Sequence, residues 1–471
     1  MDPFFLYSIL IFAVVYICLY LIFFIFKQYN TNLPPGSSGW PILGETMYMA
    51  YSSPEKFIRE RMKKYSSQVF KTSLLGEKMI VFCGAGGNKF LFSNENKLLT
   101  TWWPQSLTKP LICPTQTQNS VKKVALINRT FLREFLKTEN LKGFIPLMDS
   151  MARDHLNQEW LPFKEVKIYP LAKKYTFTLA CKLFLGIEDF RHVKKLLDPF
   201  VLVTSGIFSV PINLPGTPYN RAVKGGKMVH GELKKVIRER KKENKILYND
   251  LLSRLMSSNN ENRELMNDAE ICNNIIGSLL ASYDTTSAAI TFVLNYLAEL
   301  PNIFNQVYKE QMEIATCKGP GELLDWDDIQ KMKYSWNVAC EAMRLMPPAQ
   351  GAFREAITDF TFQGYTIPKG WKTFWNVYTT HKDPKYFPEP EKFDPCRFEG
   401  SGPAPYSFVP FGGGPRMCPG KEYARLETLV FMHNVVTKFK LEKLVPREKI
   451  IYHASPVPVN GLPVRIHPHG N

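Results

Sequence analysis

The chain has 471 residues, of which 45% are hydrophobic and 13% aromatic, and this is enough to bury a large core. Nine cysteines without paired spacing exclude a disulfide framework and favour a reducing compartment. The formal net charge of +16 would suit nucleic acid, but no groove-reading motif accompanies it, so we expect no nucleic-acid partner. No internal repeat is present, which favours one non-repetitive domain.

The N-terminal segment predicts one transmembrane helix. The chain carries no charged residue from Phe4 to Phe26, and a helix of that length spans a hydrocarbon core of about 30 Å. A cleaved signal peptide is the alternative, but the run is too long and no small-residue cleavage site follows it. Lys27 and the basic residues beyond it place the rest in the cytosol. We therefore expect an anchor and linker over residues 1–32, a catalytic domain over 33–471, and a single-pass protein of the endoplasmic reticulum membrane.

The longest periodic segment runs from Asn267 to Pro301 and predicts one helix of about 50 Å. Asn267 and Glu270 have the spacing of a capping box, and proline ends the run. A polar cluster interrupts its apolar middle at Ala281–Ser287, which is costly unless the side chains bond locally or line a site. We expect the Thr285 hydroxyl to bond to the carbonyl one turn earlier. A solvated face is the alternative that the residues alone leave open.

A charged pair lies in a second helical segment, from Tyr334 to Leu345. Glu341 and Arg344 are three residues apart in it, and two prolines end it. Considered alone, such a pair is typical of a solvated surface. Its interpretation therefore depends on the segments nearer the C-terminus.

The most informative segment is Phe411–Gly420, called the cysteine loop below. Its glycines would let the backbone approach a flat ligand closely. Cys418 precedes a run with helical periodicity, so we expect it at a helix N-terminus, where the dipole favours thiolate over thiol. Pro419 suits the first helical position, and Arg416 can offer a fork of donors to a carboxylate. A glycine-rich turn with one buried cysteine is the alternative, and so many residue types at fixed spacing argue against it.

The cysteine loop resembles the haem-ligand signature of the cytochromes P-450, and it matches that signature in full. The resemblance implies a mainly α fold with small β-sheets, preceded by the transmembrane helix. It places a haem between the long central helix and the cysteine-loop helix, with Cys418 as the axial ligand of the iron. The haem-binding residues that it implies are Cys418, Arg416, Arg354, Arg129, Phe411, Gly412, Gly420 and Ala281.

The resemblance also implies roles for residues on the two helices. Asp284 and Thr285 match the acid and the alcohol that the family uses in oxygen activation. The residues that match its buried structural triad are Glu341, Arg344 and Arg397. Two positions depart from the family pattern. Ser282 stands where glycine is usual, and Ala125 stands where a tryptophan usually precedes the arginine equivalent to Arg129.

Three stretches resemble the plant branch that oxidises triterpenoids, which includes beta-amyrin 28-monooxygenase and the dammarane hydroxylases. They are residues 33–45, residues 348–356 and the cysteine loop. By this resemblance, parts of Trp102–Gln118 and Val201–Pro215 line the substrate cavity, and their uncharged side chains suit a rigid polycyclic hydrocarbon. The other expected lining residues are Ala349, Gln350, Gly351, Ala352, Phe353 and Ser282. The substrate implied is a pentacyclic or dammarane triterpene.

The function implied is that of a haem-thiolate monooxygenase with haem b as its cofactor. A thiolate ligand makes the iron electron-rich and favours O–O cleavage. Electrons would come from NADPH through NADPH-cytochrome P-450 reductase, docked on a basic face that includes Lys421 and Arg425. The other expected partners are O2, the hydrophobic triterpenoid and membrane lipid. Two alternatives stay open, namely a haem-thiolate isomerase or dehydratase that needs no reductase, and a non-catalytic membrane-tethered haem-binding protein.

Overall fold

The computed structural model describes residues 32–40, 44–112, 129–207, 209–242, 249–258, 266–453 and 455–469, together with residues 7, 12, 15 and 16. Helices make up most of this part of the chain, and its strands form four small sheets. The mainly α fold with small β-sheets that the sequence predicts is therefore confirmed.

The helices follow one another along the whole chain. They are α1 Thr46–Ser52, α2 Pro54–Lys64, α3 Gly84–Ser93, α4 Gln105–Leu111, α5 at residues 129–135, α6 Thr138–Lys142, α7 Ile145–Glu159, α8 Ile168–Leu185, α9 Phe190–Gly206, α10 Pro218–Lys242, α11 Leu251–Met256, α12 Asp268–Glu299, α13 Pro301–Thr316, α14 Trp326–Lys331, α15 Lys333–Leu345 and α16 Lys421–Lys438.

The strands lie mainly near the two ends of the described chain. They are β1 Val69–Leu74, β2 Glu77–Phe82, β3 Leu99–Thr101, β4 Glu165–Lys167, β5 Gly351–Ala356, β6 Phe360–Phe362, β7 Tyr365–Ile367, β8 Lys372–Asn376, β9 Phe439–Lys443, β10 Ile450–Tyr452, β11 Pro456–Pro458 and β12 Pro463–Pro468. The largest sheet has the order β1-β2-β8-β5-β3, in which only β2 and β8 are parallel. The others are β4-β12-β9, β6-β7 and β10-β11.

Helix α12 is the predicted long central helix, and its 32 residues begin and end where the sequence predicts. Asn267 Oδ1 accepts the backbone N–H groups of Ala269 and Glu270, each at 3.0 Å, and Glu270 Oε2 accepts the N–H of Asn267 at 3.0 Å. This capping box satisfies donors that the first helical turn leaves free. Pro301 then begins α13. Most side chains of α12 are buried, which is the pattern of a helix inside a large core.

Two hydrophobic cores flank the region of interest. The larger one joins α7, α8, α12 and α16 with the helices around them. The second surrounds the five-stranded sheet together with α2 and α3. The cysteine loop lies between the two cores, because Gly412, Gly413 and Gly414 contact the second core while Tyr423 and Leu426 of α16 belong to the first. The fold thus places this loop where its surroundings are rigid.

The helix after the cysteine loop begins later than the sequence predicts. Gly420 is the N-cap of α16, and its carbonyl accepts the N–H of Ala424 at 2.9 Å. Pro419 precedes the cap, so its expected place as the first helical residue is wrong. Cys418 is accordingly two residues before the N-cap, and its own N–H bonds within the loop rather than to the helix.

The predicted membrane anchor lies outside the described residues, apart from Tyr7, Phe12, Val15 and Tyr16. Within the part of the chain that the structure describes, no helix combines the length and the apolar character that crossing a bilayer requires. The folded domain begins by Asn32, whose carbonyl accepts the N–H of Thr366 in β7 at 2.8 Å.

Candidate active site around the cysteine loop

The cysteine loop is closed by its own backbone. The N–H of Cys418 donates to the carbonyl of Phe411 at 2.9 Å, and the N–H of Met417 donates to the carbonyl of Gly414 at 3.0 Å. Gly412 and Gly414 have φ angles of 68° and 62°, which glycine adopts without strain. The loop therefore presents its cysteine at a position fixed by backbone bonds.

Two of the loop glycines are required by a neighbouring helix. A Cβ on Gly413 would lie 2.4 Å from the ring of Phe92 in α3, and a Cβ on Gly414 would lie 2.4 Å from the Phe92 carbonyl oxygen. At Gly412 the nearest atom is an indole carbon of Trp375, at 3.3 Å. The sequence assigned the glycines to close approach of a flat ligand, and at Gly413 and Gly414 the close neighbour is instead protein.

Cys418 keeps accessible surface, yet burial among protein atoms raises the pKa of its thiol. The N–H of Gly420 and the charge of Arg129 act in the opposite direction and are weaker. The two observations are compatible, because a side chain can keep accessible surface and still be surrounded by protein atoms on its other sides. The helix end alone does not favour the thiolate here, contrary to the sequence prediction, since desolvation of a charge outweighs these donors. A coordinated metal would reverse this balance, because it deprotonates a ligating thiol.

A stripe of accessible residues interrupts the buried surface of α12. Its members are Gly277, Leu280, Ala281 and Thr285. Their spacing of three and four places them on one face of the helix, whereas residues 286–294 are all buried. Phe411 packs against a small cluster that includes Ala289, one turn beyond Thr285. The accessible stripe therefore faces open space on the side of the cysteine loop, called the cavity below.

The expected local bond of Thr285 is present. Its Oγ1 donates to the carbonyl of Ala281 at 2.6 Å, so the hydroxyl hydrogen is committed and the oxygen lone pairs remain as acceptors. Ala281 and Thr285 both face the cavity, and the residues that flank them on the helix are buried, which favours a site lining over a broad solvated face.

Asp284 and Ser282 are held differently from Thr285. The Asp284 carboxylate lies 2.8 Å from the Nζ atom of Lys173 in α8, and only 13% of the Asp284 side chain is exposed. The two groups are not aligned as a hydrogen bond, so the contact is an ion pair. The Lys173 ammonium also lies 4.2 Å from the ring centre of Tyr283. Ser282 is buried outside the stripe, where its hydroxyl donates to the carbonyl of Leu279 at 3.2 Å.

Four arginines converge on the cysteine loop. Arg129 donates to the carbonyl of Met417 at 2.7 Å, and Arg133 donates to the carbonyl of Pro415. Arg354 and Arg416 share one carboxylate, since Glu95 accepts Arg354 Nε through one oxygen and lies 3.4 Å from Arg416 Nε through the other. The Arg pair and Glu95 are largely buried.

Among the residues that the structure describes, protein carboxylates do not balance the charges of this cluster. Burial and, to a smaller extent, the charges of Arg133, Arg416 and Arg354 lower the pKa of Arg129, Cys418 opposes them, and the resulting pKa is about 10. Four guanidinium groups face one carboxylate among these residues. A ligand with two carboxylates would balance this excess, and the planar fork of arginine is suited to that group.

Glu341 and Arg344 form a fully buried pair, with Arg344 Nε and Nη2 each 2.7 Å from a carboxylate oxygen of Glu341. Arg344 Nη1 also donates to the carbonyls of His381 and Pro390, at 2.8 and 2.7 Å. Arg397 lies 3.4 Å from Glu341 without hydrogen-bond alignment. The structure therefore brings the three predicted triad residues together, and Arg397 is the weakest partner.

Sequence reasoning missed two residues that hold this arrangement. His381 is fully buried, its Nε2 accepts the N–H of Val409 at 2.9 Å, and burial lowers its pKa to about 3. It thus joins Arg344 to the segment that leads into the cysteine loop. Glu95 is the other, and it meets Arg354 across 259 positions of the chain. No local pattern marks either residue.

The predicted cavity-lining segment at β5 is divided by the sheet. Ala352 and Arg354 lie on one face of β5, whereas Phe353 faces the other side and packs between Trp102 and Phe374, with ring centres 5.8 and 4.8 Å away. Phe353 is half-buried and packs against the second core, on the face of β5 opposite to Ala352 and Arg354, and its place in the cavity stays a prediction.

Gly351 has a structural reason for being glycine, since a Cβ there would lie 1.9 Å from the carbonyl oxygen of Trp375. The Gln350 carbonyl accepts the N–H of Val377 at 2.9 Å, and Ala349 remains partly accessible. The last six residues of Trp102–Gln118 lie outside the described chain. A separate surface cleft of about 300 Å³ near the start of α3 contains none of the site residues.

Comparison with known proteins agrees with this geometry. A model of the family described as Cytochrome P-450 matches residues 34–457. The chain belongs to the cytochrome P-450 family. The cytochrome P-450 fold that the cysteine loop predicts for the catalytic domain is thereby confirmed. The chain is 31% identical to the retinoic acid-bound cyanobacterial CYP120A1 over 93% of its length and all of that chain, with a TM-score of 0.84.

Plant cytochromes P-450 are more similar still. The chain is 79% identical to the beta-amyrin 6-beta-monooxygenase of Solanum lycopersicum, over 99% of this chain and 100% of that protein. It is 55% identical to the beta-amyrin 28-monooxygenase of Vitis vinifera over the full length of both, and 53% identical to that of Solanum lycopersicum over 96% and 98%. As a cytochrome P-450, the protein takes haem b as its cofactor.

Proposed function

We propose that this protein is a haem-thiolate monooxygenase that hydroxylates a pentacyclic triterpene of the beta-amyrin type. The observation that carries the proposal is the placement of Cys418 beside both the four-arginine cluster and the accessible stripe of α12. The relatives that match over their full length are monooxygenases acting on beta-amyrin. Neither the isomerase or dehydratase nor the non-catalytic alternative has support among them.

The residues fit the cofactor. Cys418 would ligate the iron, and Arg129, Arg354 and Arg416 would balance the two haem propionates, which are the missing carboxylates of the cluster. A haem with a thiolate ligand supplies the oxidising power to insert one atom of O2 into an unactivated C–H bond. Phe411, Gly412, Gly420 and Ala281 would shape the space around the ring.

Thr285 is proposed to hold a proton-delivering water. With its hydrogen bonded to Ala281, Thr285 Oγ1 can only accept, so it would orient a donor water within the cavity. Asp284, at the preceding position, is paired with Lys173 and would exchange protons with this water as that ion pair opens.

The position attacked is proposed to be carbon 6, on its β face. The relative at 79% identity is named for that position, whereas those at 53% and 55% are named for carbon 28. The test is expression of the chain with a plant reductase and beta-amyrin, followed by mass spectrometry and NMR of the product. A product oxidised only at carbon 28 would contradict the proposed position, and no oxidised product with a haem-loaded enzyme would contradict the function.

The electrons are proposed to come from NADPH-cytochrome P-450 reductase, docked on the face that carries the cysteine loop. Arg133 and Lys421 are exposed there. Arg425 is less suited than the sequence predicts, because its guanidinium is paired with Glu422 at 2.6 Å and only 16% of its side chain is exposed. Lys421→Glu should slow reduction of the haem by the reductase and leave its reduction by dithionite unchanged. A variant that the reductase reduces as fast as the wild type would contradict this docking face.

The membrane anchor over residues 1–32 and the location at the endoplasmic reticulum are part of the same proposal. The uncharged run before Lys27 supports them. Trp40 and Tyr51, 79% and 94% exposed, would suit the lipid interface next to the anchor. In a eukaryotic host, the sequon Asn128-Arg129-Thr130 should stay unglycosylated, because it would face the cytosol. A glycosidase-sensitive mass shift at Asn128 would reverse the orientation.

A further inference from the structure

The short helix α4 packs against two longer helices. It has seven residues, too few to be stable alone in water, and it contains Pro110, which lacks an N–H for the helical bond. It contacts α10 and α12, and these two helices also contact each other. The position of α4 therefore depends on its tertiary contacts.

One of those contacts is a hydrogen bond from a buried histidine. His230 of α10 is 3% exposed, and its Nε2 lies 3.1 Å from the carbonyl oxygen of Leu111, the last residue of α4. A carbonyl can only accept, so Nε2 carries the hydrogen, and because burial lowers the pKa of the His230 ring, the neutral form without a hydrogen on Nδ1 is favoured. This bond satisfies one of the carbonyls that every helix leaves free at its C-terminus. No partner of Nδ1 is found among the described residues.

The second contact is a glycine without clearance. A Cβ on Gly226, one turn before His230, would lie 2.0 Å from the carbonyl oxygen of Pro110. Any larger residue would push α4 away from α10. Gly231 on the same helix is exposed, and a Cβ there would meet no atom within 4 Å. The close approach is therefore specific to Gly226.

We infer that His230 and Gly226 are positioning residues that dock α4 against α10 and thereby fix one wall of the substrate cavity. Helix α4 contacts α12, whose accessible stripe bounds that cavity, and Leu107 of α4 is buried in the same core as α12. Neither residue takes part in the reaction. Their effect is on how tightly the cavity holds a rigid polycyclic substrate, and in this respect the inference rests on the proposed function.

The test compares four variants of the haem-loaded full-length protein: His230→Ala, His230→Gln, Gly226→Ala and the matched control Gly231→Ala. Losing one such hydrogen bond corresponds to a change in affinity of about fivefold to tenfold. We expect His230→Ala and Gly226→Ala to raise the KM for beta-amyrin by about that factor, with little change in kcat and an unchanged carbon monoxide spectrum. His230→Gln should restore most of the affinity, because its amide N–H can donate to the same carbonyl. Gly231→Ala should behave as the wild type.

Hydrogen–deuterium exchange of peptides covering residues 105–112 gives a readout that needs no substrate. Exchange there should be faster in His230→Ala and Gly226→Ala than in the wild type and Gly231→Ala. Equal exchange in all four proteins would overturn the docking, and faster exchange with an unchanged KM would overturn its role in the cavity. A wild type that fails to bind beta-amyrin would count against the proposed function, while the exchange rates would still decide whether the two residues dock α4.

Discussion

Three polar side chains at the centre of α12 make different interactions. Thr285 gives its hydrogen to Ala281 and keeps its lone pairs for the cavity. The Asp284 carboxylate forms an ion pair with Lys173. Ser282, which stands in place of the usual glycine, is buried, and its hydroxyl donates to a carbonyl of its own helix. Its side chain therefore lies outside the accessible stripe.

Replacing Thr285 tests the proposed proton delivery. Thr285→Ala removes the acceptor that would orient the water, so product formed per NADPH consumed should fall by about tenfold while hydrogen peroxide is released. Thr285→Ser keeps the hydroxyl and should retain most of the coupling. The measurement is the ratio of product to NADPH at saturating beta-amyrin. Unchanged coupling in a haem-loaded Thr285→Ala enzyme would show that Thr285 only packs.

The ion pair between Lys173 and Asp284 can be measured by a double-mutant cycle. Lys173→Met leaves a largely buried carboxylate without its partner, and the free energy of unfolding should fall by about 1–3 kcal/mol. Asp284→Asn in the Lys173→Met background should recover part of that loss, because the unpaired charge is gone. Urea unfolding of the wild type, Lys173→Met, Asp284→Asn and the double variant gives the coupling energy. Additive effects would mean that the two groups do not stabilise each other.

At the scale of elements, the cysteine loop is positioned by two connections. Helix α15 reaches it through Arg344, the carbonyl of His381 and the bond from Val409 to the His381 ring. Helix α3 reaches it through Phe92, which fills the space that Gly413 and Gly414 leave. Because both connections are buried, a change in either should move the cysteine.

Arg344→Lys tests the first connection. A lysine cannot make the paired bonds to Glu341 or reach the carbonyls of His381 and Pro390 with a rigid fork, so a buried carboxylate would lose its partner. We expect a loss of about 3 kcal/mol or more in stability and a reduced yield of the thiolate-type carbon monoxide band. Arg397→Lys, at the weaker partner, serves as the comparison and should cost less. Equal losses would contradict the greater weight given to Arg344.

At the scale of the whole molecule, a buried carboxylic acid makes the stability of the large core depend on pH. Glu427 of α16 is fully buried, and burial raises the pKa of its carboxyl well above the usual range. The Tyr423 hydroxyl lies close enough to oppose this effect, but neither group is aligned as a hydrogen bond. Burial therefore favours the neutral form of Glu427 in the folded protein.

This raised pKa gives stability a predictable dependence on pH. The folded state keeps a proton that the unfolded state releases above a pKa of about 4.5, so the contribution of Glu427 is fully present below that pH and is lost as pH rises towards the folded-state pKa. Glu427→Gln should lose less stability than the wild type between pH 5 and pH 8. Urea unfolding at both values is the measurement, with the exposed Glu313→Gln as control. Parallel losses in wild type and Glu427→Gln would contradict it.

The sequence by itself determined the local features of this protein. The bounds of α12 follow from a capping box and a proline, the Glu341 and Arg344 pair follows from helical spacing, and the cysteine loop follows from residue types at fixed distances. These depend on neighbours within a few turns, and local periodicity records them. The family and its cofactor could be predicted from them.

Only the tertiary structure decided which side chains meet. Glu95 binds Arg354, which is 259 positions away in the sequence, and Lys173 of α8 forms an ion pair with Asp284. Phe353 packs against the second core because successive side chains of a strand point to opposite faces. The thiol of Cys418 responds to burial more than to its helix, since desolvation depends on everything packed around a group. Contacts between distant segments leave no periodic pattern in the sequence, so the charge balance and the walls of the site had to come from the fold.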